Sequence, residues 1–244
     1  MGSHMLSPCI AFSLMLFAMV VSHCSSSPTD NPRHLSSVQN FQKVDLTLYY
    51  ESLCPACTEF ISHSFLDVIT EHLMPIVNLK LVPWGNARLF SDGSFACQHG
   101  PDECFLNTVE ACIINFHPRP SRQLRIIHCI EALVQQGQYH QWASCLGDSY
   151  APVLDCYNSG LGKTLEQQYG VETLQLIPPH RYTPWVVVNG QPLEENYGQF
   201  IAYVCKAYKG PSPPAVCKSA TAMKELASDI EKVHEVCYAS DRRT

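Results

Sequence analysis

Cys54 and Cys57, two cysteines separated by two residues, are the residues of this sequence best suited to chemistry. Apolar and polar residues alternate before the pair, as in a strand, and apolar residues recur at helical spacing after it. At such a junction the unpaired N–H groups of the helix start favour the thiolate of the first cysteine, and thiolates attack disulfides. We therefore predict thiol–disulfide exchange, with Cys54 as the nucleophile and Cys57 as the thiol that resolves the mixed disulfide.

Two non-redox uses of this pair stay open, an inert structural disulfide and one half of a zinc site. A structural zinc site normally needs a second pair of Cys or His ligands. Cys97 and His99 are close together, but Cys104 and Cys112 nearby are spaced for helix faces in a cysteine-rich exported protein. The sequence therefore predicts no metal ion and no cofactor.

The dipeptide Thr183–Pro184 is a second candidate feature, because it leads into an apolar strand that ends at the hairpin sequence Asn189-Gly190. At this place in an α/β pattern we predict a cis peptide bond before the proline, in a loop that faces the cysteines. The main chain of Thr183 would then lie beside Cys54 and could pair with an extended substrate peptide. The alternative is an ordinary trans proline at the start of a strand. We predict Thr183 and Pro184 as substrate-binding residues.

The elements that would position these residues indicate an α/β domain from about 44 to 210. A strand, a helix and a second strand follow one another at its start, and this order predicts two parallel neighbours joined by a right-handed crossover. A hairpin and a covering helix follow near its end. The predicted strands are 44–50, about 76–84, 184–188 and 191–195, and the covering helix contains Phe200 to Tyr208.

Helical segments rich in cysteine interrupt this pattern between about 97 and 170. We expect a thioredoxin-like fold with a disulfide-rich helical insertion. The chain from 211 to 244 predicts a proline-rich link and a last amphipathic helix, tied down through Cys217 or Cys237. Apart from the Cys54 pair, the cysteines are predicted disulfide staples whose partners the sequence leaves open: Cys97, Cys104, Cys112, Cys129, Cys145, Cys156, Cys205, Cys217 and Cys237.

The first 24 residues have the apolar stretch and small-residue zone of a secretory signal peptide, and residues 1–5 can be a cloning remnant. A retained membrane anchor or a buried helix is the alternative. A polar lead-in from 25 to 43 follows. Thirteen cysteines also favour an oxidising route of export. We therefore predict a protein of the secretory pathway, delivered to a lysosome, a vacuole or the cell exterior, with no membrane attachment after signal removal.

Charge and residue counts limit the partners further. The formal net charge is −6, and no run of Lys or Arg forms a stripe for phosphates, so we expect no nucleic-acid partner. Eleven cysteines follow Cys24, and this odd number requires a free thiol or a bond between chains. No Asn-x-Ser/Thr sequon occurs, so sorting by an N-glycan is excluded.

Residues 97–112 read Cys-Gln-His-Gly, two residues, Glu-Cys, two residues, Asn, four residues, Cys. This segment resembles the signature of the gamma-interferon-inducible lysosomal thiol reductase family, and the resemblance extends from about Val44 to Cys205. It implies a thioredoxin-like fold with a helical insertion, reduction of protein disulfides at acidic pH in endosomes or lysosomes, and Cys54 and Cys57 as the active pair. Within the signature, His99 is either a proton donor or a structural residue, and Glu103 and Asn107 are expected to cap and brace a helix.

The leading prediction is therefore a protein disulfide reductase. Its expected partners are disulfide-containing protein substrates and a small-thiol or protein-thiol reductant. Two alternatives stay open: an oxidase or isomerase of the same fold, whose direction is set by redox potential, and a non-enzymatic, disulfide-rich secreted binding protein.

Overall fold

A computed structural model describes residues 42–219 and 236–239 of the chain. The predicted signal peptide, nearly all of the lead-in and the predicted C-terminal helix lie outside these ranges. Across these two ranges, the helices are too short or too polar to cross a membrane.

Four strands in the order β2-β1-β6-β7 form the central sheet. They are β1 Val44–Tyr50, β2 Val77–Pro83, β6 Trp185–Val188 and β7 Gln191–Pro192. β1 and β2 are parallel, as the sequence predicts, whereas β1–β6 and β6–β7 are antiparallel. The remaining strands are two-residue pairs: β3 Arg88–Leu89 with β4 Phe95–Ala96, and β5 Tyr182–Thr183 with β8 Cys237–Tyr238.

Helices surround this sheet in two groups. The crossover from β1 to β2 contains α1 Pro55–Glu59, a π-helix at Phe60–Phe65 and α2 Asp67–Thr70, and α7 Phe200–Ala207 follows the hairpin after a 3₁₀ helix at Glu194–Gln199. The insertion contributes α3 Pro101–Phe116, α4 Pro120–Gln135, α5 Tyr150–Asn158 and α6 Leu161–Leu174, with 3₁₀ turns at Tyr139–Cys145 and Gly147–Ser149. A parallel β-α-β unit and an antiparallel β-β-α unit on one sheet define a thioredoxin-like fold, so this prediction is confirmed.

Burial explains why these elements pack as they do. The inward side chains of β1, Leu46, Leu48 and Tyr50, are fully buried, as their strand alternation predicts. Phe65 of the crossover contacts Phe200 of α7 with ring centroids 5.2 Å apart. The insertion has a core of its own, centred on apolar side chains of α3, α4 and α5. The insertion packs against both the crossover and β2 of the sheet.

The structure assigns partners to the predicted staples. Three disulfides stabilise the insertion and one joins α7 to the chain that follows it: Cys97–Cys104, Cys112–Cys156, Cys129–Cys145 and Cys205–Cys217. The alternative of a zinc site with Cys97 and His99 loses its thiolate ligand, because the sulfur of Cys97 is bonded to Cys104.

Two element predictions need correction. The returning strand ends at Pro192 instead of Glu195, since proline has no N–H to continue the ladder and a 3₁₀ helix follows. The helix after the cysteine pair is not continuous, because a π-helix separates α1 from α2. The predicted Asn189-Gly190 turn is confirmed, with φ of 47° and 77° as a type I′ hairpin requires.

Candidate active site

Cys54 lies where the polypeptide leaves β1 and enters the crossover. It is the N-cap residue of α1, and its carbonyl accepts a hydrogen bond from the N–H of Thr58 at 3.0 Å. Pro55 occupies the first helical position, where a missing N–H costs no hydrogen bond. Cys57 follows within the first turn and is fully buried. The predicted strand-to-helix junction therefore exists, and it brings both cysteines to one end of the sheet.

The sulfur of Cys54 is bonded to Cys237, and Cys57 carries a free, buried thiol. The sequence predicts Cys217 or Cys237 as the staple for the C-terminal helix. The observed bond instead brings a cysteine 183 residues away to the predicted nucleophile. Burial, followed by the charge of Glu51, raises the pKa of the Cys57 thiol well above its usual value, while hydrogen bonds from Thr183 and the Glu51 main chain act in the opposite direction.

Thr183 lies beside Cys54. Its carbonyl oxygen is 3.9 Å from the Cys54 sulfur and its hydroxyl oxygen is 3.7 Å from the same atom. The Thr183–Pro184 peptide bond is cis, as predicted, and Ile177–Pro178 is a second cis bond that sequence analysis missed. The binding roles of Thr183 and Pro184 stay predictions.

Glu51 is a buried carboxyl that sequence analysis did not identify. One of its oxygens and the sulfurs of Cys54 and Cys237 all lie within 4.8 Å of one another. The main-chain N–H of Asn86 donates to this carboxyl, and the Thr183 hydroxyl is 3.5 Å from it. Burial, followed by the charge of Glu103, raises the pKa of Glu51 to about 9. The side chain therefore holds a proton at neutral and acidic pH, next to the sulfurs.

Residues of the 97–112 signature border this carboxyl. His99 Nδ1 is 2.5 Å from Glu103 and 3.7 Å from Glu51. Glu103 also accepts the main-chain N–H of His99, which fixes the start of α3 as predicted. Asn107 accepts the N–H of Ser52, so its side chain braces the loop before Cys54 instead of its own helix. These contacts link the signature to the cysteine site through hydrogen bonds.

Gly85 allows the loop after β2 to approach Glu51. Its φ is +54°, and a Cβ there would be 2.2 Å from Glu51 Cγ. Gly85→Ala is therefore expected to destabilise the fold by about 1–3 kcal/mol more than the same change at a glycine with free space. Urea unfolding at fixed pH measures the difference.

Gly137 is the matched control for this prediction. Its φ is +67°, so alanine meets a similar backbone penalty, but no atom lies within 4 Å of the added Cβ. Equal losses for Gly85→Ala and Gly137→Ala would show that contact with Glu51 does not constrain the loop.

The fold and the site together define a thiol–disulfide oxidoreductase: a thioredoxin-like domain with a cysteine at the N-cap of its first helix and a second cysteine one turn later. The family model described as Gamma interferon inducible lysosomal thiol reductase (GILT) matches residues 45–149. The chain is 40% identical over 204 residues to the gamma-interferon-responsive lysosomal thiol protein of Arabidopsis thaliana, covering 81% of this chain and 85% of that protein. It is 35% identical over 185 residues to the gamma-interferon-inducible lysosomal thiol reductase of Mus musculus, covering 72% of each.

The chain therefore belongs to the gamma-interferon-inducible lysosomal thiol reductase family, which confirms the predicted resemblance. This membership favours an enzyme over a non-enzymatic binding protein. Among solved structures, the Chlamydia trachomatis DsbA crystal structure aligns with a TM-score of 0.49 and 16% identity, covering 77% of this chain and 89% of that one.

Proposed function

We propose that this chain reduces disulfides in protein substrates, with Cys54 as the nucleophile and Cys57 as the resolving thiol. One observation carries the proposal: Cys54 caps the helix at its N-terminus, next to the exchange partner Cys237 and to Thr183, while Cys57 keeps its thiol one turn away. The Cys54 sulfur already bonds to a distant cysteine, and a free thiol one turn away supports the proposed resolving role of Cys57.

The proposed reaction has two exchange steps. The Cys54 thiolate attacks one sulfur of the substrate disulfide, and the other substrate sulfur leaves as a thiolate that takes up a proton. The Cys57 thiol then loses its proton and attacks Cys54, which releases the second substrate thiol. The enzyme is left with a Cys54–Cys57 disulfide. A dithiol reductant, or two monothiols, returns it to the reduced form and becomes oxidised.

The proposed activity at acidic pH is compatible with Glu51, which is uncharged at acidic and at neutral pH. A negative carboxylate within 4.8 Å of the Cys54 sulfur would repel a thiolate, whereas a protonated carboxyl can donate a hydrogen bond to it. The names of the Arabidopsis and mouse relatives refer to the lysosome. We extend this location, or a vacuole or the cell exterior reached by the same secretory route, to the present chain.

A trapping experiment tests the roles of the two cysteines. In a chain with Cys57→Ser and Cys237→Ser, the Cys54 thiolate still attacks a disulfide-bonded protein. Both thiols of the chain that could release the bound protein are then absent. We expect a covalent adduct that non-reducing electrophoresis detects and a dithiol reverses.

The matched control adds Cys54→Ser to the same two changes and is expected to form no adduct. Adduct formation that persists in this control, or the absence of any adduct when Cys54 is intact, would contradict the assignment of Cys54 as the nucleophile.

A further inference from the structure

The described C-terminal residues, 236–239, form an extended segment beside the active site. Within it β8 runs antiparallel to β5, which ends at Thr183. The N–H of Ala239 donates to the carbonyl of Arg181 at 2.9 Å, so the pairing continues beyond the two-residue strand. The paired residues are Tyr238 with Tyr182 and Cys237 with Thr183.

This segment is bonded covalently to the predicted nucleophile, through the disulfide between Cys237 and Cys54. A peptide that pairs with the strand beside a nucleophilic cysteine and shares a disulfide with it has the arrangement of a substrate in a mixed-disulfide intermediate. The free Cys57 thiol is the resolving group such an intermediate requires.

Two side-chain amides hold the main chain of this segment. Asn86 Nδ2 donates to the carbonyl of Cys237 at 2.9 Å, and Gln98 Nε2 donates to the carbonyl of Tyr238 at 2.9 Å. Asn86 Nδ2 also donates to Gln98 Oε1 at 2.7 Å, which orients both amides. Because these bonds are to main-chain oxygens, they are available to an extended peptide of almost any sequence.

The side chain next to the cysteine meets an open surface. Tyr238 is 66% exposed, and its ring contacts Tyr182 only edge-on, with centroids 5.8 Å apart. Asn86 follows β2, and Gln98 belongs to the 97–112 signature, so two side chains 12 residues apart in sequence converge on one peptide.

We propose that Asn86, Gln98 and the β5 edge form a binding site for the main chain of a substrate's disulfide-bonded cysteine segment. Residues 236–239 occupy this site as an intramolecular substrate. The inference rests on the proposed function of Cys54 and Cys57. It names the ligand class: an extended polypeptide segment that is recognised by its main chain and its cysteine, with little dependence on neighbouring side chains.

Release of the segment follows from the same chemistry. The Cys57 thiol loses its proton and attacks the Cys54 sulfur, and the bond between Cys54 and Cys237 breaks. Cys237 leaves as a thiolate and takes up a proton, while a Cys54–Cys57 disulfide forms. This exchange is redox-neutral, and a dithiol reductant then reduces the new disulfide and vacates the site for substrate.

Peptide mapping of the full chain tests whether residues 236–239 occupy the site through a Cys54–Cys237 disulfide. The unreduced protein is unfolded in urea with iodoacetamide present, so that the buried Cys57 can react, and is digested with trypsin, which releases the peptides 44–80 and 233–242. We expect these peptides to be joined by a disulfide, with one alkylated cysteine in the first. A Cys54–Cys57 disulfide with alkylated Cys237 would overturn the assignment of residues 236–239 as the bound segment.

Steady-state kinetics of the full chain carrying Asn86→Ala and Gln98→Ala tests whether these two side chains bind the substrate main chain. Loss of two main-chain hydrogen bonds is expected to raise KM for a disulfide-bonded protein about ten- to thirtyfold, with the effect concentrated in KM instead of kcat. The KM for a small aromatic disulfide, which has no peptide main chain, should rise much less. Gln141→Ala, at an exposed position of the 3₁₀ turn Tyr139–Cys145, is the matched control. An unchanged KM for the protein substrate would overturn the proposed site.

The two substrates separate this inference from the proposed function. If the wild-type chain reduces neither the protein nor the aromatic disulfide, the reductase proposal fails. If it reduces both and the double variant keeps the wild-type KM, the reductase proposal stands and the main-chain binding site is wrong.

Discussion

Replacing Cys54 by serine is expected to lower the rate of protein-disulfide reduction by at least about three orders of magnitude. A serine hydroxyl is not ionised in the working pH range, so no anion remains to attack the substrate disulfide. Cys57→Ser should slow turnover as well, because the mixed disulfide is then resolved only by Cys237 or by the external dithiol. The measurement is the rate at which each pre-reduced chain reduces a disulfide-bonded protein with a dithiol donor in excess.

A double Cys129→Ser and Cys145→Ser variant is the control for the loss of cysteine itself. It removes a disulfide of sequence separation 16 in the insertion, which stabilises the fold by about 3 kcal/mol. We expect lower stability but retained turnover below the unfolding temperature. Turnover by the Cys54→Ser chain above the uncatalysed background would contradict the role of Cys54 in the reaction.

Local sequence patterns were sufficient to predict the central fold. Alternation in Val44–Tyr50 reflects a strand with one face in the core, and this strand has the predicted bounds. The Asn-Gly dipeptide marks the hairpin because both residues tolerate positive φ. The π-helix at Phe60–Phe65 has no comparable signal, since its apolar residues also fit an α-helix. The choice between a π-helix and an α-helix in this segment therefore depends on tertiary packing, which local sequence patterns do not report.

The candidate site was only half predictable, because part of it depends on contacts between distant residues. Cys54, Cys57 and Thr183 were found from motif and position. Asn86 and Cys237 carry no local motif, and their contact joins residues 151 apart. The odd cysteine count predicts a free thiol or a bond between chains, and in the described ranges Cys57 has a free thiol.

Buried carboxyls were the other feature that sequence analysis missed. Glu110 accepts the hydroxyl of Tyr50 at 2.7 Å, and Glu131 accepts the hydroxyl of Thr58 at 2.6 Å. Glu166 accepts the hydroxyl of Thr108. A signal was present, because Glu110 and Glu131 each lie four residues after an apolar residue of their helix stripe. Acidic side chains are usually exposed, so such positions were not recognised as buried.

The surroundings of these carboxyls favour the protonated, uncharged form. The second oxygen of each of Glu110, Glu131 and Glu166 has no hydrogen-bond partner among residues 42–219 and 236–239. Burial raises the pKa of Glu110 and of Glu166 to about 8, and that of Glu131 well above its usual value. Glu51, with its pKa raised to about 9, behaves in the same way.

The free energy of unfolding is therefore expected to fall as pH rises. An unfolded carboxyl loses its proton near its ordinary pKa of about 4.3, whereas these folded carboxyls hold theirs to about pH 8 or above. Between those limits the unfolded state binds fewer protons than the folded state, so each carboxyl lowers stability by up to about 1.4 kcal/mol per pH unit. The full stabilisation is present below about pH 4.3 and is lost as pH rises toward the folded values. Urea unfolding at several pH values between 5 and 8 measures this slope.

Glu131→Gln isolates one carboxyl of this set. Glutamine can still accept the Thr58 hydroxyl but does not titrate, so the slope should become shallower by up to about 1.4 kcal/mol per pH unit. Glu71→Gln, at an exposed position after α2, should leave the slope unchanged. The same slope in wild type and Glu131→Gln would show that Glu131 does not take up its proton on folding. Burial of carboxyls therefore makes the fold most stable in acid, and it also keeps Glu51 uncharged beside the proposed nucleophile at acidic and neutral pH.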